Sequence, residues 1–288
     1  MISRSACALL ALLCPAVVLG GDASGQFTVS KHPPIKPKYA AAYATHDQRD
    51  ARKSAIEVVL SEEPIDVAEA VAELDPHTNV INQKALRDHN YVLLWVRPDN
   101  DVSMNATYSD SMTQYVEMTG SRMTADLTTN TPSKVAGRIF SPKPLKTMDG
   151  DEYTIDLKFS TEVTRPPAGT KLPADGGEAG KAFKALQAAI AKKSWDGIKA
   201  NVTAKNLESF DASWRTPKEN LHDAIETLGF WLPKKAGKIT GGELRGDTAI
   251  LNVEGEMFEN QNALFLVRMV REKDRWVFDH ATKVGFID

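Results

Sequence analysis

Aromatic side chains, which commonly contact ligands and partner proteins, are concentrated in the C-terminal half of the chain. Four of the five tryptophans lie there, namely Trp195, Trp214, Trp231 and Trp276, with Phe210, Phe230 and Phe258 nearby. Phe230 and Trp231 follow a predicted helix and precede Pro233, and large rings in such loops often line a pocket mouth. We therefore take Trp214, Trp231 and Phe230 as candidates for contact with a ligand or partner, with core packing as the alternative.

His280 is the histidine best placed to act as an acid or base. It follows Asp279 in the last predicted strand, so the two side chains suggest an acid/base pair. Neighbours on a strand point to opposite faces, however, so we do not expect both in one pocket. His280 stays a candidate binding residue, with a packed or rim histidine as the alternative, and no residue is assigned as catalytic.

The spacing of the histidines does not predict a metal site. Five of the six histidines lie within two positions of an aspartate: His46, His77, His89, His222 and His280. This spacing gives no convergent set of ligands, and surface solvation explains it equally well. The chain also has no Gly-x-Ser-x-Gly elbow, no His-Glu-x-x-His pair and no Walker loop. The sequence thus predicts neither a metal nor a cofactor.

Residues 1–20 have the pattern of a secretory signal peptide. A short start with the single charge of Arg4 precedes an apolar run over residues 6–19, and the small residues Gly20 and Gly21 follow. We expect cleavage near Gly20, which places the mature protein in the periplasm or outside the cell.

Both cysteines of the chain lie inside this segment. Cleavage removes Cys7 and Cys14, so we expect no disulfide and no thiol chemistry in the mature protein. Lipidation at Cys14 is the alternative, but Leu13 stands where that processing needs a small residue. The apolar run is shorter than the ~20 residues that cross a bilayer, so no transmembrane span is expected.

Length and charge set the broad class of protein. The roughly 268 residues after the signal exceed the ~100–200 residues of a usual domain, so two domains are expected. The net charge of −3 is spread without blocks and argues against nucleic acid as a partner.

Two breaks rich in proline and glycine divide the chain. Residues 21–45 form the first, which we interpret as a Pro-rich tether, and residues 165–180 form the second, which we interpret as the domain linker. Between them, residues 46–164 alternate with period two, as at Tyr153 to Ser160, and predict an immunoglobulin-like β-sandwich. Its predicted strands include 91–96, 102–108 and 134–140. One helix, with Asp66 as its cap, is expected to interrupt the sandwich.

Residues 181–288 predict helices followed by strands. Apolar spacing gives a helix over 178–193 and a short second one from Trp195, and Thr216-Pro-Lys-Glu219 caps a third that we expect to end at Gly229. From Ile239 the period returns to two and predicts an antiparallel meander. The strand over 262–271 is apolar on both faces apart from Arg268, so we expect it to be central.

This arrangement resembles the nuclear-transport-factor-like superfamily, a cystatin-like α+β cone, and within it an uncharacterised secreted bacterial branch. The resemblance is carried by the first helix, the turn Lys193-Ser-Trp-Asp196, the hairpin Gly246-Asp-Thr-Ala249 and the last turn Lys273-Asp-Arg-Trp276. It implies three helices on a curved antiparallel sheet enclosing a pocket, which different members use for catalysis, ligand binding or docking. The N-terminal half resembles no family that we can name.

Two functions are consistent with these features. The first is a non-enzymatic secreted or periplasmic envelope protein that binds a partner protein or a small apolar ligand. The alternative is a cone-superfamily enzyme, isomerase-like or cyclase-like, that transfers a proton through an inward carboxylate or His280. Catalytic members of the superfamily often use a tyrosine, and here every tyrosine lies before the linker.

Overall fold

The described part of the chain is mostly β-structure. The computed structural model describes residues 20–111, 113–120, 122–147, 150–258 and 261–287. These residues form an 11-stranded sheet, a five-stranded sheet and six α-helices, and nearly all strand pairs are antiparallel. The predicted signal segment, residues 1–19, lies outside the described residues.

The first sheet contains the strands of the N-terminal part of the chain. They are β1 Gly21–Val29, β2 His32–Ile35, β3 Tyr39–His46, β4 Ser54–Ser61, β5 Tyr91–Val96, β6 Val102–Tyr108, β7 Thr113–Met118, β8 Thr124–Asn130, β9 Lys134–Phe140, β10 Leu145–Lys146 and β11 Glu152–Thr164. Their order is β7-β6-β5-β4-β3-β1-β11-β9-β8, with β2 beside β1 and β10 beside β11. The strands that we predicted over 91–96, 102–108 and 134–140 have these same bounds.

The first sheet is curled. Its two end strands, β7 and β8, are consecutive in the chain, and Thr119 bridges Met123 between them. The inner face therefore closes on itself around a core in which Phe27, Leu94 and Leu157 are fully buried. Burial of this apolar area drives the curl.

The segment that we interpreted as a tether belongs to this sheet, so the tether prediction is wrong. Strand β1 pairs with β11 from Asp22 to Val29 and places Phe27 and Val29 in the core. Pro33 and Pro34 misled the interpretation, because they lie in β2, which pairs only with β1. Proline is tolerated on such an outer strand, where its missing amide hydrogen breaks no ladder.

A short helical segment covers the outer face of the first sheet. It contains a 3₁₀ turn at Ala70–Ala72, α1 Pro76–Ile81 and α2 Lys84–Arg87. The predicted helix capped by Asp66 is therefore wrong, and Asp75 caps the first α-helix instead by accepting from Thr78 N. With apolar side chains on both faces, β4 is buried from residue 55 to 61.

The C-terminal part of the chain packs four helices on the second sheet. The helices are α3 Gly177–Ala191, α4 Trp195–Asn201, α5 Ala204–Phe210 and α6 Pro217–Trp231. The strands are β12 Thr170–Lys171, β13 Lys238–Arg245, β14 Thr248–Phe258, β15 Gln261–Glu272 and β16 Arg275–Ile287, in sequential order. Three helices were predicted. The sequence did not predict α5, whose N-terminus is capped by Thr203.

The local signals in this part are confirmed only in part. Thr216 and Glu219 form the predicted capping box around Pro217. The helix does not end at Gly229 as predicted but continues to Trp231, because Gly229 does not adopt the positive φ of a glycine that ends a helix. The predicted linker is also shorter, since β12 and the start of α3 lie inside 165–180.

The two parts of the chain contact each other. The amide of Ala51 donates to the carbonyl of Phe286 at 2.8 Å, and Ala51 packs with Leu264 and Ile287 in a small apolar cluster. Strand β15 lies in the interior of its sheet. On one face of the strand Leu264 belongs to this small cluster, and on the other face Phe265 packs in the core with the helices. Both faces of that stretch are therefore covered, as predicted.

Candidate functional site

A cleft of about 650 Å³ opens in the C-terminal part, where α5 and the end of α6 face β15 and β16. We call it the C-terminal cleft. Its lining includes Lys205, Asn206, Trp231, Arg268, Asp279 and His280. Two of the four residues that the sequence nominated, Trp231 and His280, therefore lie in one site.

A β-bulge places Asp279 and His280 together. His280 pairs with Arg268 on β15, while the next pair joins Met269 to Phe278, so Asp279 is an extra residue in the ladder. A bulge of this kind interrupts the alternation of side chains and re-aims one of them. Both residues line the C-terminal cleft, and the expectation that they cannot share a pocket is wrong.

Arg268 and Asp279 form the charged floor of the cleft. The Arg268 Nε donates to Asp279 Oδ2 at 2.6 Å, and its Nη1 donates to Glu73 Oε2 at 2.8 Å. Asn206 fixes the bulge from the helix side by donating its Nδ2 to the Asp279 carbonyl at 2.6 Å. With its carboxylate held by Arg268, Asp279 is a structural anion, and no Asp–His hydrogen bond is among the contacts of the described residues.

His280 is the group in the cleft that is free to act on a ligand. Its ring meets the edge of Trp231 with the centroids 4.9 Å apart, and neither ring nitrogen has a hydrogen-bond partner in the described part of the chain. Burial lowers the pKa of His280, and the positive charges of Arg268 and Lys205 lower it further against the opposing effect of Asp279. The lowered pKa favours the neutral ring, in which one nitrogen donates and the other accepts.

Trp231 contributes to both the core and the cleft. It is half-buried at the end of α6, where its ring lies 6.3 Å from Phe278 of the C-terminal core and also walls the cleft. The two alternatives stated for this residue, core packing and ligand contact, are thus compatible. An indole held in this way can present an apolar surface at little entropic cost.

The other two nominated aromatic residues lie outside the cleft lining. Trp214 is 77% exposed and packs on the guanidinium of Arg215 at 4.3 Å, and Phe230 is 82% exposed. The helix between them spans about 20 Å at 1.5 Å per residue, so they do not form one patch. Neither contributes to the site.

The sequence pattern did not predict Arg268, Lys205 or Asn206 as cleft residues. Arg268 could have been identified from the sequence, because it is the one charged residue in an otherwise apolar stretch of β15 and a buried charge needs a partner. Lys205 and Asn206 carried none, since their helix was not predicted.

Three potential metal donors approach one another on the surface of α6. His222, Asp223 and Glu226 place donor atoms within 4.8 Å, and no other set of three does so in the described residues. Asp223 is already ion-paired with Arg215, and His222 is exposed. This cluster is a solvated helix face.

Comparison with known proteins leaves the sequence without an identified family: no family model matches the chain, and no curated protein does. The resemblance to the nuclear-transport-factor-like superfamily therefore stays a prediction. Within the described residues, none of the helices has the length and apolar character needed to span a bilayer.

Proposed function

We propose that this chain is a non-enzymatic envelope protein, exported by the segment at residues 1–20, that binds a small ligand in the C-terminal cleft. One observation carries the proposal: the imidazole of His280, which has no hydrogen-bond partner among the described residues, packs edge to face with the half-buried Trp231 in the lining of the cleft. A flat apolar wall beside free hydrogen-bonding groups is the usual composition of a small-molecule site.

The lining favours a ligand that is more polar than the one we expected from sequence. Lys205 and Glu208 carry opposite charges at the rim, and Arg268 is neutralised by Glu73 and Asp279. A strongly charged ligand gains little from such a balanced site. The cleft suits a small neutral molecule with one apolar face and a polar edge, such as a sugar or a heterocyclic ring.

The domain organisation is part of the same proposal. We propose that residues 46–164, extended by the strands from Gly21, form an immunoglobulin-like sandwich, and that residues 181–288 form an α+β cone. The separate apolar cores of the two sheets support the division. The helices packed on a curved antiparallel sheet support the cone.

Native mass spectrometry of the protein purified from its own envelope tests the binding function. The expected result is a reproducible small adduct that disappears in Trp231→Ala. Trp214→Ala is the matched control, because it removes an indole from outside the cleft and should keep the adduct. A bare mass for the wild-type protein, or loss of the adduct in the control alone, contradicts the proposal.

Proton transfer is the second candidate, and the state of His280 favours it. A neutral histidine with a lowered pKa and a free nitrogen facing a cleft can accept a proton from a bound molecule. The test is exchange in D₂O: an isomerase-like enzyme incorporates deuterium at an acidic carbon of the molecule recovered as the adduct. Exchange that is lost in His280→Gln, while the adduct persists, supports the enzyme; no exchange excludes this chemistry.

A further inference from the structure

One carboxylate lies in the otherwise apolar outer face of the first sheet. Glu57 of β4 pairs with Tyr43 of β3 and with Trp95 of β5, so these three side chains form one row on that face. Residues 62–90, which join β4 to β5, pack over this face, and we call them the covering segment. The Glu57 side chain is only 1% exposed, so it needs a partner that balances its charge.

His77 of the covering segment is that partner. Its Nδ1 lies 2.7 Å from Oε1 of Glu57, and its ring packs on Trp95 with the centroids 5.9 Å apart. A carboxylate only accepts, so Nδ1 donates whether or not the ring is protonated. The protonated ring alone carries the positive charge that balances Glu57, and this is the one ion pair of Glu57 among the described residues.

Other titratable side chains approach this pair from the surrounding elements. A cavity of about 190 Å³ lies beside it, and its lining includes His46 of β3, Asp75 of the covering segment and Lys283 of β16. His46 donates its Nδ1 hydrogen to the carbonyl of Ala51 at 2.7 Å. The Lys283 ammonium lies 4.4 Å from the centre of the Phe286 ring. Both cationic candidates thus have contacts of their own, and the charge of Glu57 is left to His77.

The surroundings of His77 favour its protonated form. The hydrogen bond to Glu57 is the largest cause of a raised pKa of His77; burial of the ring opposes it, and the negative charges of Glu57 and Asp75 support it. Tyr43 keeps its proton, because burial and the charge of Glu57 raise its pKa. Within the row and its cover, His77 is therefore the group that loses a proton as the pH rises.

The covering segment also reaches the C-terminal cleft. Glu73 lies four residues before His77, and its Oε2 accepts from Nη1 of Arg268 at 2.8 Å. The chain between Glu73 and His77 is structured, because Glu73 closes the 3₁₀ turn and Asp75 caps α1. Movement of α1 should therefore move Glu73. Arg268 in turn holds Asp279 in the β-bulge of the cleft.

We propose that the His77–Glu57 pair is a pH-sensitive latch. Protonated His77 holds the covering segment on the first sheet, and loss of the proton loosens both the segment and its Glu73–Arg268 link to the cleft. The physical reason is that a buried carboxylate without a balancing charge is destabilising. The latch itself needs no ligand, and only an effect on ligand affinity rests on the proposed function.

The sign of the pH dependence follows from the direction of the shift. Because the pKa of His77 is raised in the folded protein, the folded state binds more protons at this residue than the unfolded chain. The stabilising contribution is complete below the unfolded value of about 6.5 and is lost as the pH rises through the raised pKa.

Hydrogen exchange measured by mass spectrometry tests the latch in the full-length protein without a ligand. Protection of the covering segment, corrected for the intrinsic pH dependence of exchange, should fall roughly threefold or more between about pH 6 and 8.5, while that of β15 stays constant. His77→Gln keeps a donor for Glu57 but no charge, so its protection should be low at both pH values. His46→Gln is the matched control, because it keeps a donor for Ala51 and should respond like the wild type.

Glu57→Gln separates the latch from a folding defect in His77→Gln. It removes the buried charge, so the covering segment should stay protected at both pH values. Constant protection in the wild type, a pH response that persists in Glu57→Gln or in folded His77→Gln, or a response that is lost in His46→Gln overturns the latch.

The NMR signal of the Arg268 Nε–H group reports the link to the cleft. Its shift should follow the titration of His77 above about pH 6.5, outside the range in which His280, with its lowered pKa, titrates. Glu73→Gln should abolish this response while exchange of the covering segment stays pH-dependent. An Arg268 signal that does not respond where exchange does overturns the link. Both readouts are measured without a ligand, so a cleft that binds none leaves them unchanged and the two failures are distinguishable.

Discussion

Arg268 and Glu73 lie 195 positions apart in the chain and form an ion pair with 2.8 Å between Nη1 and Oε2. Glu73 belongs to the segment that covers the first sheet, and Arg268 forms the floor of the C-terminal cleft. The same guanidinium binds Asp279 in the β-bulge. The cleft is therefore positioned partly by the N-terminal part of the chain.

The first prediction concerns the strength of this link. A double-mutant cycle with Glu73→Gln and Arg268→Gln should give a coupling energy of about 0.5–1 kcal/mol, because the pair is partly exposed and solvent weakens it. Arg268→Gln alone should cost more than Glu73→Gln alone, since it also leaves Asp279 without its partner. Urea unfolding measures both. Strictly additive effects would show that the ion pair contributes no coupling.

The second prediction concerns pH. The folded structure lowers the pKa of His280, so below the unfolded value of about 6.5 the unfolded chain binds more protons at this residue. Protonation of His280 therefore destabilises the folded protein. The contribution of the neutral ring to stability is complete above about pH 6.5 and is lost as the pH falls through the lowered pKa of the folded state. Replacing His280 with glutamine should flatten the part of the stability curve that falls below about pH 6.5.

An NMR titration of the imidazole signals checks the cause directly. His280 should titrate below the ordinary range, and its signal should be assigned by its absence in His280→Gln. A pKa of His280 at or above 6.5 contradicts this account of its environment.

The third prediction separates steric collision from backbone strain. Gly241 and Gly242 both have positive φ, at 142° and 154°, but a Cβ on Gly242 would lie 2.2 Å from the Ile250 oxygen, whereas a Cβ on Gly241 meets nothing within 4 Å. Each alanine substitution should cost about 1–3 kcal/mol in strain, and Gly242→Ala should cost clearly more than Gly241→Ala. Equal denaturation midpoints would contradict the close approach of Gly242 in β13 to the Ile250 oxygen.

The fourth prediction tests whether the strands from Gly21 are part of the core. Phe27 is fully buried, so Phe27→Ala should destabilise the protein by about 3–5 kcal/mol, whereas Gln26→Ala on the exposed face should change stability by less than about 0.5 kcal/mol. Thermal unfolding compares the two. A neutral Phe27→Ala would restore the tether interpretation.

Much of the fold was predictable because its signals are local. The strand at 91–96 and the capped helix at Thr216 depend on side-chain alternation and on a hydrogen bond between near neighbours. Strand β1 was not predictable in the same way, because its polar, glycine-containing sequence is stabilised by pairing with β11, more than 120 residues later. Local composition favoured extended chain, and tertiary pairing decided where that chain lies.

The site was less predictable than the fold. Trp231 and His280 were found from residue type alone, but their association depends on a bulge that the sequence pattern does not mark. The period-two rule therefore placed Asp279 and His280 on opposite faces. Trp214 and Phe230 were nominated for the same reason as Trp231. They differ from Trp231 in being largely exposed to solvent, whereas Trp231 is half-buried.

We propose the C-terminal cleft as a ligand site, and an NMR titration with small neutral sugars and nitrogen heterocycles tests this proposal. Binding should shift the indole N–H signal of Trp231 and the ring signals of His280, while Trp214 stays unchanged. Shifts confined to Trp214, or no shift at Trp231 with any of these probes, would contradict the account.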